Sequence, residues 1–180
     1  RIPVDHVLAE SIVIEHFRKK DLSNTVAVAP DAGGAKRVEK YAHMLQLPFV
    51  IMDKRRKAND DNAKIQNIIG DVEGKDAIIF DDEISTGGSM IDTARILKAH
   101  GARTISAGVV HGVLCGGAVE RINACPDITE LVATNSVATP DKAGDKIQVL
   151  SCSQVLAKAI QRIHHGDSLT PIFSEYYYNS

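Results

Sequence analysis

Ala77-Ile-Ile-Phe-Asp-Asp-Glu-Ile-Ser-Thr-Gly-Gly-Ser89 runs from an apolar stretch through two acids into a cluster of hydroxyls and glycines. An unbroken apolar run of that length is the pattern of a strand buried on both faces. The glycines at its far end open a helical pattern that continues from Gly88 to His100. Each part has a physical job. Gly87 and Gly88 let the backbone approach an anion closely, and the first-turn N–H groups, with the hydroxyls of Ser85, Thr86 and Ser89, can wrap a phosphate. Asp81 and Asp82 cannot share that task. Ionised carboxylates only accept hydrogen bonds, so they suit ribose hydroxyls, or a bound divalent cation, one step further along the same ligand. The stretch therefore reads as a phosphoribosyl-binding site.

Outward from it, short apolar runs alternate with helical patterns. Thr25–Ala29, Phe49–Met52, Ala77–Phe80, Thr104–Val110, Glu130–Ala133 and Lys146–Leu150 read as strands. Gly34–Leu45, Gly88–His100, Gly116–Asn123 and Ser153–His164 read as helices between them, and Val7–Arg18 as a helix ahead of the first strand. That series predicts an α/β fold with a mainly parallel sheet flanked by helices on both faces, in a single domain over residues 1–180. Ligands in such sheets bind at the C-terminal ends of the strands. Lys54–Lys64, dense in charge, and the polar stretch Thr139–Lys146 read as mobile, and the tail with Tyr176, Tyr177 and Tyr178 has no pattern.

Two further segments sit at strand ends. Ala29-Pro-Asp-Ala-Gly-Gly-Ala-Lys-Arg37 repeats the strand, Gly-Gly, helix arrangement and reads as a second anion cradle. Two cradles at neighbouring strand ends suit a ligand with phosphates at both ends, with Asp31 holding the divalent cation that neutralises them. Asp53-Lys-Arg-Arg-Lys-Ala-Asn59 is a cationic run just past another strand end. From there Lys54 and a following arginine, Arg55 or Arg56, can close over a transferring phosphoryl group, where catalysis is mainly positioning and charge stabilisation.

Composition narrows the setting. The net charge of −2 gives no general attraction for polyanions, so phosphate recognition must be local, and no nucleic-acid partner is expected. No apolar run approaches the roughly 20 residues that span a bilayer, so no membrane role is expected. Cys115, Cys125 and Cys152 form no C-x-x-C pair, which predicts neither a disulfide framework nor a zinc site and fits a reducing cytoplasm. The chain begins at Arg1 rather than Met, as a processed chain or a piece of a longer one does.

The acid-and-glycine stretch resembles the phosphoribosyl-diphosphate motif of the type I phosphoribosyltransferase fold. The turn Pro30-Asp-Ala-Gly-Gly-Ala-Lys-Arg-Val38, Lys54-x-Arg56, His111-Gly-Val-Leu-Cys-Gly-Gly-Ala118, Thr134-Asn-Ser136 and Lys146-Ile-Gln-Val149 are together similar to the ribose-phosphate pyrophosphokinase family, nearly end to end. The resemblance implies transfer of diphosphate from ATP to ribose 5-phosphate, with Mg2+, by a cytoplasmic homo-oligomer. It implies Asp31 as metal ligand, Asp31, Ala32, Gly33 and Gly34 as the diphosphate loop, and Lys54 and Arg56 as catalytic cations. Asp81, Asp82, Ser85, Thr86, Gly87, Gly88 and Ser89 fall on the ribose-5-phosphate site. Ser168, Thr170 and Phe173 fall where the family binds a regulatory nucleotide. The chain corresponds to the family's C-terminal part, so the resemblance also implies that it makes little product without an N-terminal half.

Glu83 stands where the family is usually apolar, and Ser85 where it mostly has Asp. Two rival readings remain: a phosphoribosyltransferase that consumes phosphoribosyl diphosphate, and a non-catalytic regulatory subunit associated with active ones. His111 at a strand end reads equally as a pocket residue and as a structural histidine. Cys115 reads as a small loop residue, and His164 with His165, about 100° apart on a helix, as no chelating pair.

Overall fold

The computed structural model describes residues 2, 4–56, 64–140 and 143–174, with the side chains of 54–56, 64–66 and 173–174 outside that description. The apolar runs form strands β1 (Thr25–Ala29), β2 (Phe49–Arg56), β4 (Asp76–Ile84), β5 (Ile105–Gly112), β6 (Glu130–Thr134) and β7 (Ile147–Leu150), with β3 (Lys64–Ile69) returning alongside β2. They make one sheet of order β3-β2-β1-β4-β5-β6-β7, in which β2 and β3 are antiparallel and every other pair is parallel. The expected mainly parallel sheet is present.

Helices α1 (Glu10–Arg18), α2 (Ala35–Leu45), α3 (Gly88–Ala99), α4 (Ala118–Ala124), α5 (Ser153–His165) and α6 (Thr170–Ser174) complete the fold. Every residue of β1 is buried, because both faces of the sheet are covered. On one face Phe17 of α1 and Tyr41 of α2 meet Phe80 of β4 edge-on, each with ring centres 5.5 Å away. Gly108 of β5 admits this packing: a Cβ there would come within 2.7 Å of the Phe17 ring. On the opposite face Ile91, Ala94 and Leu97 of α3 and Ile122 of α4 pack on Val28, Ile79 and Ala107.

Three expectations need correction. The charged segment after Met52 does not leave the sheet at once: Lys54, Arg55 and Arg56 continue β2, paired with Gln66, Ile65 and Lys64. Strand β3 itself was not expected, because Ile65, Ile68 and Ile69 do not alternate with polar residues. The stretch β4, expected to turn at Glu83, stays extended to Ile84, held in register with Gly112 of β5.

Candidate functional site

Strand order fixes where the chemistry can gather. From β1 the chain passes through α2 to β2 on one side, and from β4 through α3 to β5 on the other, while β1 and β4 are themselves neighbours. Helix α2 packs on one face of the sheet and α3 on the opposite face. The two helices therefore diverge beyond the β1 and β4 ends and leave a crevice, the place where open α/β sheets bind ligands. Both glycine turns open onto it.

The first turn, after β1, is closed by its own acid. Asp31 Oδ1 accepts the backbone N–H of Gly34 at 2.9 Å, and Gly34 stands at the N-cap of α2. A carboxylate at a helix start is favoured by the exposed N–H groups and the helix dipole. Gly33 faces the same oxygen: a Cβ there would lie 3.2 Å from Asp31 Oδ1. Neither Gly33 nor Gly34 has a positive φ, so their use is room rather than backbone freedom.

The second turn, after β4, is built differently. Gly87 takes the N-cap place of α3 with φ 78°, a left-handed conformation that glycine adopts without cost, and it brings no side chain to cap the helix. The turn is braced from behind by the β5–α4 loop. Leu114 N–H donates to Ile84 O and Cys115 N–H to Ser85 O, both at 3.1 Å. Arg121 of α4 donates from Nη2 to Thr86 O at 2.6 Å and to Gly116 O at 2.8 Å. These bonds tie down the backbone carbonyls of the turn from the α4 side and fix its shape before any ligand arrives.

Between the turns stand Asp81 and Asp82, and Arg37 holds both. Its Nη2 donates to Asp81 Oδ1 at 3.1 Å and its Nη1 to Asp82 Oδ2 at 2.9 Å. Asp81 Oδ1 also accepts the N–H of Asp82 at 2.9 Å. Burial, and then the adjoining Asp82 carboxylate, push the Asp81 carboxyl up to about 6, against which the Arg37 charge acts only in part. For Asp82 burial also acts upward, but its hydrogen bond with Asp81 and the Arg37 guanidinium together hold it below the ordinary carboxylate value. Two adjacent acids thus differ in how readily they ionise.

Sequence reading put Arg37 at the end of the first turn without assigning it a role. The signal available was that two adjacent acids at a strand end require a counter-charge, and a cation one turn into a neighbouring helix is placed to supply it. Arg121 was missed because its partners are backbone carbonyls, Thr86 O on another loop and Gly116 O in the loop ahead of α4.

The other expected residues distribute unevenly. Lys54 and Arg56 lie at the end of β2, the strand beside β1, but their side chains fall outside the described residues. Ser168 and Thr170 belong to the start of α6, where Ser168 Oγ accepts the Thr170 N–H at 3.1 Å, and the α6 side chain Ile172 packs on α5 residues Val155 and Ala159 rather than on the two turns. The Phe173 side chain is outside the described residues. His111, read equally as a pocket residue and as a structural histidine, is exposed at the end of β5 with Nδ1 2.8 Å from Ser136 Oγ. Cys115 is exposed, with Sγ 3.3 Å from Ser85 Oγ.

A family model described as the phosphoribosyl synthetase-associated domain matches residues 62–174. The chain is similar to the ribose-phosphate pyrophosphokinase of Caldanaerobacter subterraneus subsp. tengcongensis, with 45% identity over 176 residues that cover 96% of this chain and 55% of that one. Among solved structures it is similar to the phosphoribosylpyrophosphate synthetase of Mycobacterium smegmatis, with a TM-score of 0.78, 31% identity, and coverage of 91% of this chain and 53% of that one. An adenine phosphoribosyl transferase from Trypanosoma brucei shares the fold, at a TM-score of 0.51 and 18% identity over 83% of this chain and 74% of that one. The chain spans about half the length of the curated relatives it matches. It belongs to the phosphoribosyl synthetase-associated domain family, shared with the ribose-phosphate pyrophosphokinases, on a type I phosphoribosyltransferase fold.

Proposed function

We propose that the chain is the ribose-5-phosphate-binding part of a ribose-phosphate diphosphokinase, which transfers the β,γ-diphosphoryl group of ATP to ribose 5-phosphate. The observation that carries this reading is the convergence of two glycine turns on the β1/β4 crevice with an acid pair between them. In the reaction the sugar's 1-hydroxyl oxygen bonds to the β-phosphorus of ATP. The bond from that phosphorus to the oxygen bridging to the α-phosphate breaks, AMP leaves with that oxygen, and the hydroxyl proton passes to solvent. The products are phosphoribosyl diphosphate and AMP.

The residues divide the work by charge. Ser85, Thr86, Gly87, Gly88 and Ser89 take the 5-phosphate, and the free oxygens of Asp81 and Asp82 accept from the ribose hydroxyls, which aims C1 at the first turn. Ala32, Gly33 and Gly34 take the diphosphate there, and Lys54 and Arg56 offset its charge in transfer. Mg2+ supplies further charge neutralisation on the diphosphate when bound. Among the described residues no three His, Cys, Asp or Glu side chains gather into a metal cluster. Asp31 fits a cation that is completed by phosphate oxygens and water, the usual manner for Mg2+. The N-terminal half of the full-length protein supplies the rest of the ATP site, in a cytoplasmic homo-oligomer without nucleic-acid partners. Among the described residues no helix is long and apolar enough to cross a membrane.

Calorimetric titration with ribose 5-phosphate tests the site. Asp82→Ala is expected to weaken binding about tenfold, the loss of one or two charge-assisted hydrogen bonds, with the fold intact by circular dichroism; unchanged affinity refutes the assignment. With ATP, Mg2+ and the complementary half present, AMP formation that depends on Lys54 supports the kinase. A second reading, the non-catalytic partner subunit, is favoured by one feature: Glu83 is an exposed acid beside the phosphate turn, in register with His111. Tight subunit association without AMP formation selects it, and base-dependent loss of phosphoribosyl diphosphate selects the transferase.

A further inference from the structure

We propose that Arg37 is a positioning residue for ribose recognition: its guanidinium fork locks Asp81 and Asp82 in one arrangement that leaves an oxygen of each carboxylate outside the fork, to accept from a pair of sugar hydroxyls. The inference rests on the ribose-5-phosphate reading of the crevice and adds to it the group that presents the acids.

The geometry carries it. Asp81 and Asp82 are consecutive residues of one strand, so their side chains start out on opposite faces of the sheet. Two carboxylates this close in the chain repel each other when both are ionised, unless a cation is shared between them. Arg37 supplies one from α2, 44 residues away in sequence from Asp81, with Nη2 on Asp81 Oδ1 and Nη1 on Asp82 Oδ2. A guanidinium presents its donors in a rigid plane, so one side chain can fix two acceptors at once, which an ammonium does not. Each carboxylate keeps its second oxygen, Asp81 Oδ2 and Asp82 Oδ1, out of that fork.

Another donor of the guanidinium, Nε–H, lies outside these two bonds. Arg37 Nε is buried and has no hydrogen-bond partner. A buried donor left unmade is unfavourable, and the two bonds to the acids offset it. The same side chain stands 3.6 Å from where a Cβ on Gly34 would project, so the fork reaches back to the first turn and couples it to the acid pair. In this arrangement the hydrogen bonds of Arg37 go to the two carboxylates, and it acts through them.

The test uses the 180-residue chain and two probes, ribose 5-phosphate and inorganic phosphate, in parallel calorimetric titrations. Arg37→Met keeps the length of the stem and removes the fork. It is expected to weaken ribose 5-phosphate at least tenfold while inorganic phosphate, which meets only the Ser85–Ser89 turn, changes less than twofold. Arg37→Lys, which restores the charge but bonds one carboxylate at a time, is expected to recover part of the loss, and it replaces the Met variant if that one does not fold. Unchanged or tighter binding of ribose 5-phosphate, or an equal fall for both probes, overturns the proposal. Wild-type chain that binds no ribose 5-phosphate overturns the site reading and this inference together. Wild-type binding that Asp82→Ala abolishes and Arg37→Met leaves alone overturns the inference only.

Discussion

The turn after β1 and the turn after β4 are nearly the same in sequence, a strand, two glycines and a helix, yet they are built for different charges. At the first, Asp31 folds back and fills a place at the start of α2 that an anion would otherwise take. At the second, the N-cap is a left-handed glycine with nothing to offer the helix, and the turn is tied from behind by Arg121 and the β5–α4 loop. A phosphate can settle directly on the second. On the first it would meet the Asp31 carboxylate, which is why the proposed reading puts a cation between them. Strand–Gly-Gly–helix is therefore not one kind of site, and the acid beside the glycines decides which kind it is.

The largest effect that separates the turns is expected at their glycines. Gly87→Ala forces a side chain into φ 78°, a strain of about 1–2 kcal/mol, although the space around it is ordinary, with Ile122 3.5 Å away. The expected outcome is a fall of a few degrees in Tm and about a tenfold loss of ribose 5-phosphate affinity as the turn opens. Gly88→Ala, at an ordinary φ and 4.0 Å from Thr86 Oγ1, is expected to leave Tm nearly unchanged. Equal melting of the two variants by calorimetry contradicts the assignment of the strain to Gly87.

A smaller effect is expected at Asp31. Asp31→Asn keeps an oxygen that can accept from Gly34 N–H and removes the charge, so the helix start and Tm should hold to within about 1 kcal/mol. Diphosphate binding to the wild type is expected to strengthen severalfold when Mg2+ is added, and in the variant this dependence is expected to vanish while metal-free binding improves. Persistence of the full Mg2+ effect in Asp31→Asn places the cation elsewhere and makes the two turns alike.

How much of this could be read from the chain differs with the range of the forces involved. Strand β4 and helix α3 were legible because an apolar run, two glycines and a helical period are local. The same is true of β1, α2 and the parallel sheet as a class. Strand β3 was not, since Ile65, Ile68 and Ile69 show no alternation and the segment is extended only because β2 is there to pair with it. Helix α6 spans five residues, too few to show a period, and its start depends on the Ser168 hydroxyl. In the site, the acids and hydroxyls stood out by type. Arg37 and Arg121 did not, since what they bond lies 44 and 35 residues away and the fold alone brings it near.

The smallest effect concerns the acid pair that lies between the turns. Asp81 ionises at about 6 in the folded chain against an ordinary 3.8, so between those values the fold holds a proton that the unfolded chain has released. The stability that this proton brings is whole below about pH 3.8 and is lost as pH rises through about 6. Asp81→Asn carries no such charge, so its Tm is expected to gain on the wild type as pH goes from 4 to 7.5. Binding should run the other way. Ribose hydroxyls donate to the ionised carboxylate, so wild-type affinity for ribose 5-phosphate is expected to rise through pH 6. A phosphate monoester also loses its second proton near pH 6, and that contribution remains in Asp81→Asn. The Asp81 share is therefore the difference between the two profiles, and the variant's should be the shallower. Parallel profiles for the two proteins remove Asp81 from ribose binding and leave Asp82 as the acceptor between the turns.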